Sequence, residues 1–450
     1  MQVEKAVLAG LLLAVPAVLP VSQTFAQDGV RGSLTLGETL RSVTETGPGI
    51  NENEGTSLVT ELGFRLSSET PQDQLLFTFS TLVPLYADDN DSLNSDFFFE
   101  DPTARLLYTR ESRSSLFTFS GSYRQTDVGT SSFFDETSDQ DVVTGGGRRT
   151  LASVRSGITL GRDAPITFDG SYRFLDSSYE DAAPSLLDSQ TQSIDTELSF
   201  RLSPVASAFV FADWEEENED GGSDRTTTSV GVGARYSISA RTDVSASLFL
   251  DNDEIINSDN DRDEDGLGAR FSVNHAVPNG SWRVGMSSRQ TIDGTRNGLS
   301  LGRQMLILPG SLDFSLGVSR TGDEDIEPLA NVTLNMALTD TSNLVASLRQ
   351  SVDSDNDGNN TIRTRLNMSY SYDINSLSSL SGNFLLASDN RPSVTGGDET
   401  TYQIGLRYRH DLGQDWDLIS GISFENEQNE SSADRITRTI FVGVERTFDF

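Results

Sequence analysis

The last fifteen residues, ITRTIFVGVERTFDF (436–450), decide the fold class. Large apolar side chains share one parity in this segment: Ile440, Val442, Val444, Phe448 and Phe450. With the exception of Phe441, the alternate positions are small, polar or charged. Strict alternation places two sets of side chains on opposite faces of an extended strand, and no helix has this period. The segment therefore predicts a β-strand with one apolar and one polar face.

The same alternation recurs along the chain. It is clear in SLVTELGFRLS (57–67), ITFDGSYRFL (166–175), TSVGVGARYSI (228–238), DGLGARFSVNH (265–275), SLDFSLGVS (311–319), TIRTRLNMSYSY (361–372) and TYQIGLRYR (401–409). The connections between such segments alternate in length, and we count ten short and eleven long polar ones. The pattern predicts an all-β, transmembrane, antiparallel up-and-down β-barrel of about 22 strands, within a range of 18–24, with short periplasmic turns and long acidic extracellular loops.

The first residues indicate export. Residues 6–21 (AVLAGLLLAVPAVLPV) form an apolar run that two prolines interrupt, and SQTFA follows. This arrangement is typical of a signal peptide, here residues 1–26 with cleavage after Ala26. The remainder, 27–450, is then one barrel domain in the outer membrane of a Gram-negative bacterium, reached through the periplasm.

Composition excludes several classes of protein. The 450 residues carry a net charge of −35 and include no cysteine. Such acidity argues against nucleic acid as a partner, and the lack of cysteine excludes disulfides and thiolate-ligated metals. A soluble β-sandwich or solenoid would show the same local alternation. Export, the two classes of connection and the terminal Phe450, which resembles the signal read by the outer-membrane assembly machinery, favour the barrel.

If the apolar parity faces lipid, the other parity faces a wet interior. The residues that we predict to line it are Arg65, Arg124, Arg155, Arg173, Arg201, Arg235, Arg270, Arg349, Arg363, Arg365, Arg407, Arg409, Glu61, Asp169, Glu197 and Asp313. They would form a polar passage whose guanidinium groups engage carboxylates or phosphates, or ladders of ion pairs that only hold the wall together. Arg303 and Arg446 fall on the lipid parity. We interpret Arg446 as reaching the membrane edge, and Arg303 as the sign of a bulge or a register error.

Two acidic segments have the spacing D-x-D-x-D-G. They contain Asp261, Asp263 and Asp265, and Asp353, Asp355 and Asp357. Alternate carboxylates beside a glycine turn suit Ca²⁺, although neither segment has the twelfth-position glutamate of an EF-hand. The alternative is that both are solvated polyanionic loops. If they bind divalent cations, they could also bridge the barrel to lipopolysaccharide. No other cofactor is expected.

An enzyme is not expected. The sequence has only two histidines, His275 and His410, and both fall at strand ends beside short turns. No glycine-rich phosphate-binding loop is present. The sequence therefore carries no catalytic site that we can assign.

By the segments LGFRLSSET (62–70) and DPTARLLYTRESRSSLFTFSGSYR (101–124), the chain resembles outer-membrane β-barrel proteins of alphaproteobacteria of the β-barrel porin type. Some members of such families are associated with exopolysaccharide export. The resemblance implies fold and location and transfers no site residues. Three hypotheses follow: a porin-like channel for solutes, an export barrel for an anionic surface polysaccharide, and a structural or adhesive surface barrel with cation-binding loops.

Overall fold

The computed structural model describes residues 29–47, 50–87, 100–127, 147–182, 186–256, 261–322, 325–354, 360–391, 398–429 and 434–450. These residues form twenty-two strands in one sheet. The strands are β1 (Val30–Gly47), β2 (Ile50–Glu69), β3 (Asp73–Ala87), β4 (Glu100–Glu111), β5 (Ser115–Asp127), β6 (Arg148–Leu160), β7 (Ile166–Glu180), β8 (Ser189–Ser203), β9 (Ala206–Glu219), β10 (Asp224–Ser239), β11 (Thr242–Ile256), β12 (Arg262–Val277), β13 (Gly280–Thr291), β14 (Gly294–Ile307), β15 (Gly310–Thr321), β16 (Glu327–Thr339), β17 (Ser342–Ser354), β18 (Asn360–Asn375), β19 (Ser378–Asn390), β20 (Glu399–Gly413), β21 (Trp416–Asn429) and β22 (Arg435–Asp449). The predicted signal peptide, 1–26, lies outside the described residues.

Every strand pairs antiparallel with its neighbours in sequence, and β1 also pairs with β22. This last ladder runs from Ser33 opposite Asp449 to Thr46 opposite Ile436, so it closes the sheet. The prediction of an up-and-down barrel of about 22 strands is therefore confirmed. None of the described residues forms a helix long and apolar enough to cross a membrane.

The closing seam extends to the last residue. The backbone N–H of Gly32 donates to the Phe450 carbonyl over 2.8 Å, and that of Phe450 donates to the Gly32 carbonyl over 2.9 Å. A Cβ atom on Gly32 would lie only 2.3 Å from the Phe450 ring. The absence of a side chain at Gly32 therefore lets the ring lie flat against β1.

Strand ends differ from the prediction in the acidic segments. Asp263 and Asp265, which the sequence places in an acidic loop, lie in β12, and the acidic residues Asp251 and Asp253 continue β11. The polar segment DGTRNG (293–298) contributes one residue to a two-residue turn and the rest to β14. The carboxylates of Asp251, Asp253 and Asp263 bind partners on the barrel wall, and polarity alone does not reveal this.

The two faces of the sheet differ sharply. On β10 and β11, the side chains of Val232 and Leu248 are 58% and 56% exposed, whereas Phe249, next along the chain, is 2% exposed. The exposed parity forms the outer face of the barrel, and the other parity points into the interior, which we call the lumen. The apolar residues are thus arranged as a membrane barrel requires, with polar groups inside.

Arg303 is an outer-face residue, as its parity indicates, but the bulge that we expected is wrong. Both ladders of β14 run without a register shift. The Arg303 guanidinium lies 4.9 Å from the centre of the Trp282 ring, and its Nη2 donates to Asn279 in the adjacent short turn over 2.5 Å. Arg446 stacks in the same way on Trp416, at 5.5 Å. Each arginine therefore lies at the short-turn edge beside a tryptophan, where the barrel would meet the membrane–water interface.

The separation of faces predicts the effect of charge on β14. Leu301→Arg places a guanidinium in the middle of the outer face and should destabilise the folded barrel by about 2–4 kcal/mol in vesicles. Ser300→Arg, one residue away on the lumen face, should cost little. Urea unfolding in vesicles, followed by the heat-modifiable shift on a gel, measures both. Equal stability of the two variants would contradict the assignment of faces.

Candidate functional site

The structure places all sixteen predicted lumen residues on the inner face. Their parities follow from the register: Arg155 opposes Arg173, Arg349 opposes Arg365, and Asp169 opposes Glu197. Residues that oppose one another on successive strands form rows of side chains along the inner face. The structure brings some of these residues into contact and leaves others apart.

Several predicted residues form ion pairs between strands that are one or two apart in the barrel. Arg235 Nη1 and Nη2 donate to the two carboxylate oxygens of Glu197 over 2.7 and 2.6 Å. Arg407 and Arg409 both contact Glu445, at 3.4 and 3.1 Å, and Arg409 also donates to Asp417 over 2.5 Å. These contacts are ladders on the wall, as the second interpretation of the sequence expected.

Other predicted residues also pair with residues outside the set of sixteen. These pairs are Arg365 with Asp389 at 2.6 Å, Arg173 with Glu215 at 3.2 Å, and Asp313 with Arg283. Asp169 accepts a hydrogen bond from Thr159 over 2.7 Å. In contrast, Arg65, Arg201 and Arg270 make no ion pair with any described residue. The lumen therefore contains both neutralised and free guanidinium groups.

An aromatic cluster lies on the inner face of β9–β12. Phe211 and Phe249 flank Gly231, with ring centroids 5.8 Å apart, and Phe209 lies beside Phe211 at 6.1 Å. Added Cβ atoms at three glycines would come within 2.1–2.6 Å of these phenylalanines, which therefore lie flat on the wall. The three glycines are Gly231, Gly233 and Gly268. Such covering of glycines by rings on adjacent strands stabilises a sheet. We call Phe209, Phe211 and Phe249 the phenylalanine platform.

Two arginines stack on this platform. The Arg235 guanidinium lies 4.2 Å from the Phe209 ring centre, and that of Arg270 lies 4.7 Å from the centre of Phe249 and 5.9 Å from that of Phe211. Stacking of this kind fixes a guanidinium through the ring quadrupole and leaves its N–H edge free for other partners. Glu197 occupies that edge in Arg235 alone.

The turn between β13 and β14 folds into the lumen. The β12–β13 ladder ends where Ala269 opposes Ser288, and β13 then crosses the inner face of β12. Its Gln290 lies against Gly266, where an added Cβ would be 2.8 Å from that of Gln290. We call residues 290–294 the inner tip.

Two buried carboxylates of β11 hold the inner tip. Asp251 accepts the backbone N–H of Gln290 over 3.1 Å, and Asp253 accepts that of Ile292 over 3.0 Å. Asp253 is fully buried and also binds the guanidinium of Arg225, through Nε at 2.9 Å and Nη2 at 2.7 Å. A buried carboxylate with several charge-assisted hydrogen bonds is a firm anchor.

The opposite side of the hairpin is held by Arg296 on β14. Its Nη1 donates to the Val352 carbonyl over 3.2 Å and its Nη2 to the Asn360 side chain over 2.8 Å. These partners belong to β17 and β18, three and four strands away. The hairpin thus bridges the lumen between β11 and β17–β18 and narrows it near the long-loop end.

The residues that sequence reasoning missed are the platform, Asp251, Asp253 and Arg225. The platform had a signal: Phe209, Phe211 and Phe249 are aromatic residues on the polar parity, opposite the Gly-x-Gly of β10. The two aspartates had none, because their partners are backbone N–H groups of a hairpin that only the fold brings near.

The first acidic motif, which the structure describes in full, does not have the geometry of a calcium site. Asp263 and Asp265 alternate along the outer face of β12 with Asp261 just before it, so their carboxylates follow one another in an extended chain and do not surround a point. Asp263 instead accepts a hydrogen bond from Asn252 over 2.7 Å. The structure brings together no group of three metal-ligating side chains among the residues it describes. Asp355 and Asp357 lie outside the described residues, as does the side chain of Asp353, and calcium there stays a prediction.

The two histidines occupy equivalent places. His275 Nδ1 lies 2.9 Å from the Thr242 hydroxyl, and His410 Nδ1 lies 2.8 Å from the Ser378 hydroxyl. Each pair joins two strands next to a short turn, on opposed residues of the ladder. In both places a histidine contacts a hydroxyl group, of threonine in one and of serine in the other, at the end of a strand pair.

Comparison with known proteins identifies the fold of the chain. No protein-family model matches the chain, and no curated protein matches it. Among solved structures, it is similar to the iron transporter FrpB of Neisseria meningitidis, with 9% identity, a TM-score of 0.56, and 94% of this chain and 82% of that chain covered. It is also similar to the siderophore receptor PiuA of Acinetobacter baumannii, with 10% identity, a TM-score of 0.53, and coverage of 91% and 82%.

A third similar structure is the siderophore receptor PirA of the same species, with 10% identity, a TM-score of 0.52, and coverage of 94% and 81%. The chain has the fold of an outer-membrane receptor barrel. At this level of identity the likeness concerns architecture alone. The resemblance to alphaproteobacterial proteins of the porin type stays a prediction.

The anchoring of the inner tip can be tested by hydrogen exchange. Asp253→Asn removes the charged acceptor of the Ile292 amide, so peptides that span residues 290–294 should exchange about tenfold faster, as expected for the loss of ~1.4 kcal/mol. Asp263→Asn, on the outer face of β12, is the matched control and should leave this exchange unchanged. Mass spectrometry of the protein in detergent gives both rates. Unchanged protection in Asp253→Asn would show that the carboxylate does not hold the tip.

Proposed function

We propose that the protein is an outer-membrane transport barrel that gives solutes a polar, arginine- and carboxylate-lined passage, in the manner of a porin. The observation that carries the proposal is the closed barrel with guanidinium groups on its inner wall, some of them without a counter-ion, beneath a hairpin that narrows the lumen. The solved structures of this fold are named as receptors and transporters. Transport across the outer membrane is the part of their role that the present wall chemistry supports.

The proposal includes location and partners. The barrel would lie in the outer membrane of a Gram-negative bacterium, in contact with lipid and lipopolysaccharide, after assembly guided by Phe450. In support, the Phe450 side chain is 71% exposed at the edge of the seam. No catalytic step, resident cofactor or nucleic-acid partner is part of this role, and Ca²⁺ in the 353–357 segment is retained as a further proposal.

A second candidate is export of an anionic polysaccharide. Arg65 and Arg105 are exposed on the inner face, on either side of Thr78 in one row, and make no ion pair with a described residue. Such a row could guide successive negative charges of a polymer. An unchanged surface polysaccharide in a deletion strain would count against this candidate.

Conductance tests the main proposal. The purified full chain in planar lipid bilayers should open stable channels above the lipid background. The double variant Asp251→Asn/Asp253→Asn should conduct more or fluctuate more, because the inner tip loses both of its charged acceptors. Current traces in symmetric KCl decide the point, and Asp263→Asn again serves as the control. A wild-type protein that folds into the bilayer and never conducts would overturn the proposal.

A further inference from the structure

The phenylalanine platform carries two guanidinium groups that differ in one respect. Arg235 and Arg270 lie on neighbouring parts of the same wall and both stack on phenylalanine rings. Glu197 binds Arg235 through both carboxylate oxygens. Arg270 has no hydrogen bond or ion pair with any described residue, and its side chain is exposed to the lumen. The platform therefore presents one guanidinium within an ion pair and one without.

We propose that Arg270 is an oxyanion-binding residue of the passage, one that takes the carboxylate or phosphate group of a solute. The proposal rests on the proposed transport function and names the chemistry that the site selects. A guanidinium offers two parallel N–H donors that match the geometry of a carboxylate or a phosphate. In Arg270 the stacked ring fixes the plane of this fork before a solute arrives, so less conformational entropy is lost on binding.

The Arg235–Glu197 pair shows what the free site would do. Glu197 is a carboxylate that binds a platform-stacked guanidinium with two short contacts, in the geometry expected of a solute at Arg270. Glu197 thus occupies the guanidinium of Arg235 in the way that a solute would occupy that of Arg270. Removing the charge of Glu197 would therefore create a second site of the same kind at Arg235 on β10, two strands from Arg270 on β12.

The surroundings of Arg270 leave room for a solute. Its immediate neighbours across the ladders are Ser247 and Ser287, which are small and uncharged. The floor beside it is Gly268, which the ring of Phe249 covers. Asp213 shares this face two residues beyond Phe211 and attracts the Arg270 guanidinium from beyond ion-pair distance, so the N–H edge of Arg270 stays open to a solute. The inner tip begins at Gln290, on the strand next to β12. A solute that passes the inner tip thus meets this wall.

The test uses the full chain in planar bilayers, with acetate and inorganic phosphate as separate probes that reduce the chloride current. Arg270→Gln should raise the half-blocking concentration of both probes about tenfold, the loss expected for one charge-assisted fork. The double variant Arg235→Gln/Glu197→Gln, which removes the neutral pair and leaves the net charge of the wall unchanged, is the matched control and should change it by less than about twofold.

Glu197→Gln provides the readout that a structural role would not give. It frees the Arg235 fork, so it should lower the half-blocking concentration and shift the reversal potential in a KCl gradient toward anion selectivity. Equal effects of Arg270→Gln and the double variant Arg235→Gln/Glu197→Gln, or no gain in Glu197→Gln, would overturn the proposal. A response to phosphate alone would contradict the shared oxyanion chemistry.

Failure of transport and failure of the site give different results. If the wild-type barrel folds but does not conduct, the transport function fails, and equilibrium dialysis of labelled phosphate against the protein in detergent decides the site. Weaker binding by Arg270→Gln and stronger binding by Glu197→Gln would support it there. If the barrel conducts and the three variants behave like wild type, the site fails alone. The heat-modifiable gel shift confirms that each variant is folded.

Discussion

The ladder between β1 and β22 is the interaction on which the rest of the structure depends. A sheet with free edges exposes unpaired N–H and C=O groups, and these are very costly where no water can reach them. Closure removes both edges at once. It also creates an inside and an outside, so the period of two along each strand becomes a separation between a charged interior and an apolar exterior. Without closure, the same alternation would not separate a polar lumen from an apolar outer face.

Much of this organisation could be read from the sequence, because alternation is a local property. The number of strands follows from the count of short and long connections, and the parity of Arg235 and of Glu197 follows from a few neighbouring residues. Their ion pair does not, since it depends on how β8, β9 and β10 are aligned. A register shift of one residue would have placed one of the two on the wrong face.

Strand ends were less predictable, and the reason is chemical. An acidic stretch resembles a solvated loop when only polarity is considered. Asp251 and Asp253 are nevertheless buried, because the N–H groups of a turn 39 residues away donate to them. Arg303 is the reverse case: a charged side chain on the lipid parity suggested an irregular strand, whereas stacking on Trp282 lets a regular strand carry it. In each case the deciding partner is distant in sequence.

The three glycines that the phenylalanine platform covers have a consequence for the width of the passage. Gly231, Gly233 and Gly268 have no side chain, and the phenylalanine rings occupy the space where a methyl group would lie. Any larger residue at these three positions would lift a ring away from the wall and carry the stacked guanidinium towards the barrel axis. The bore at this level is therefore governed by residues with no side chain of their own. A single methyl group at one of them would narrow the bore, with every charge kept.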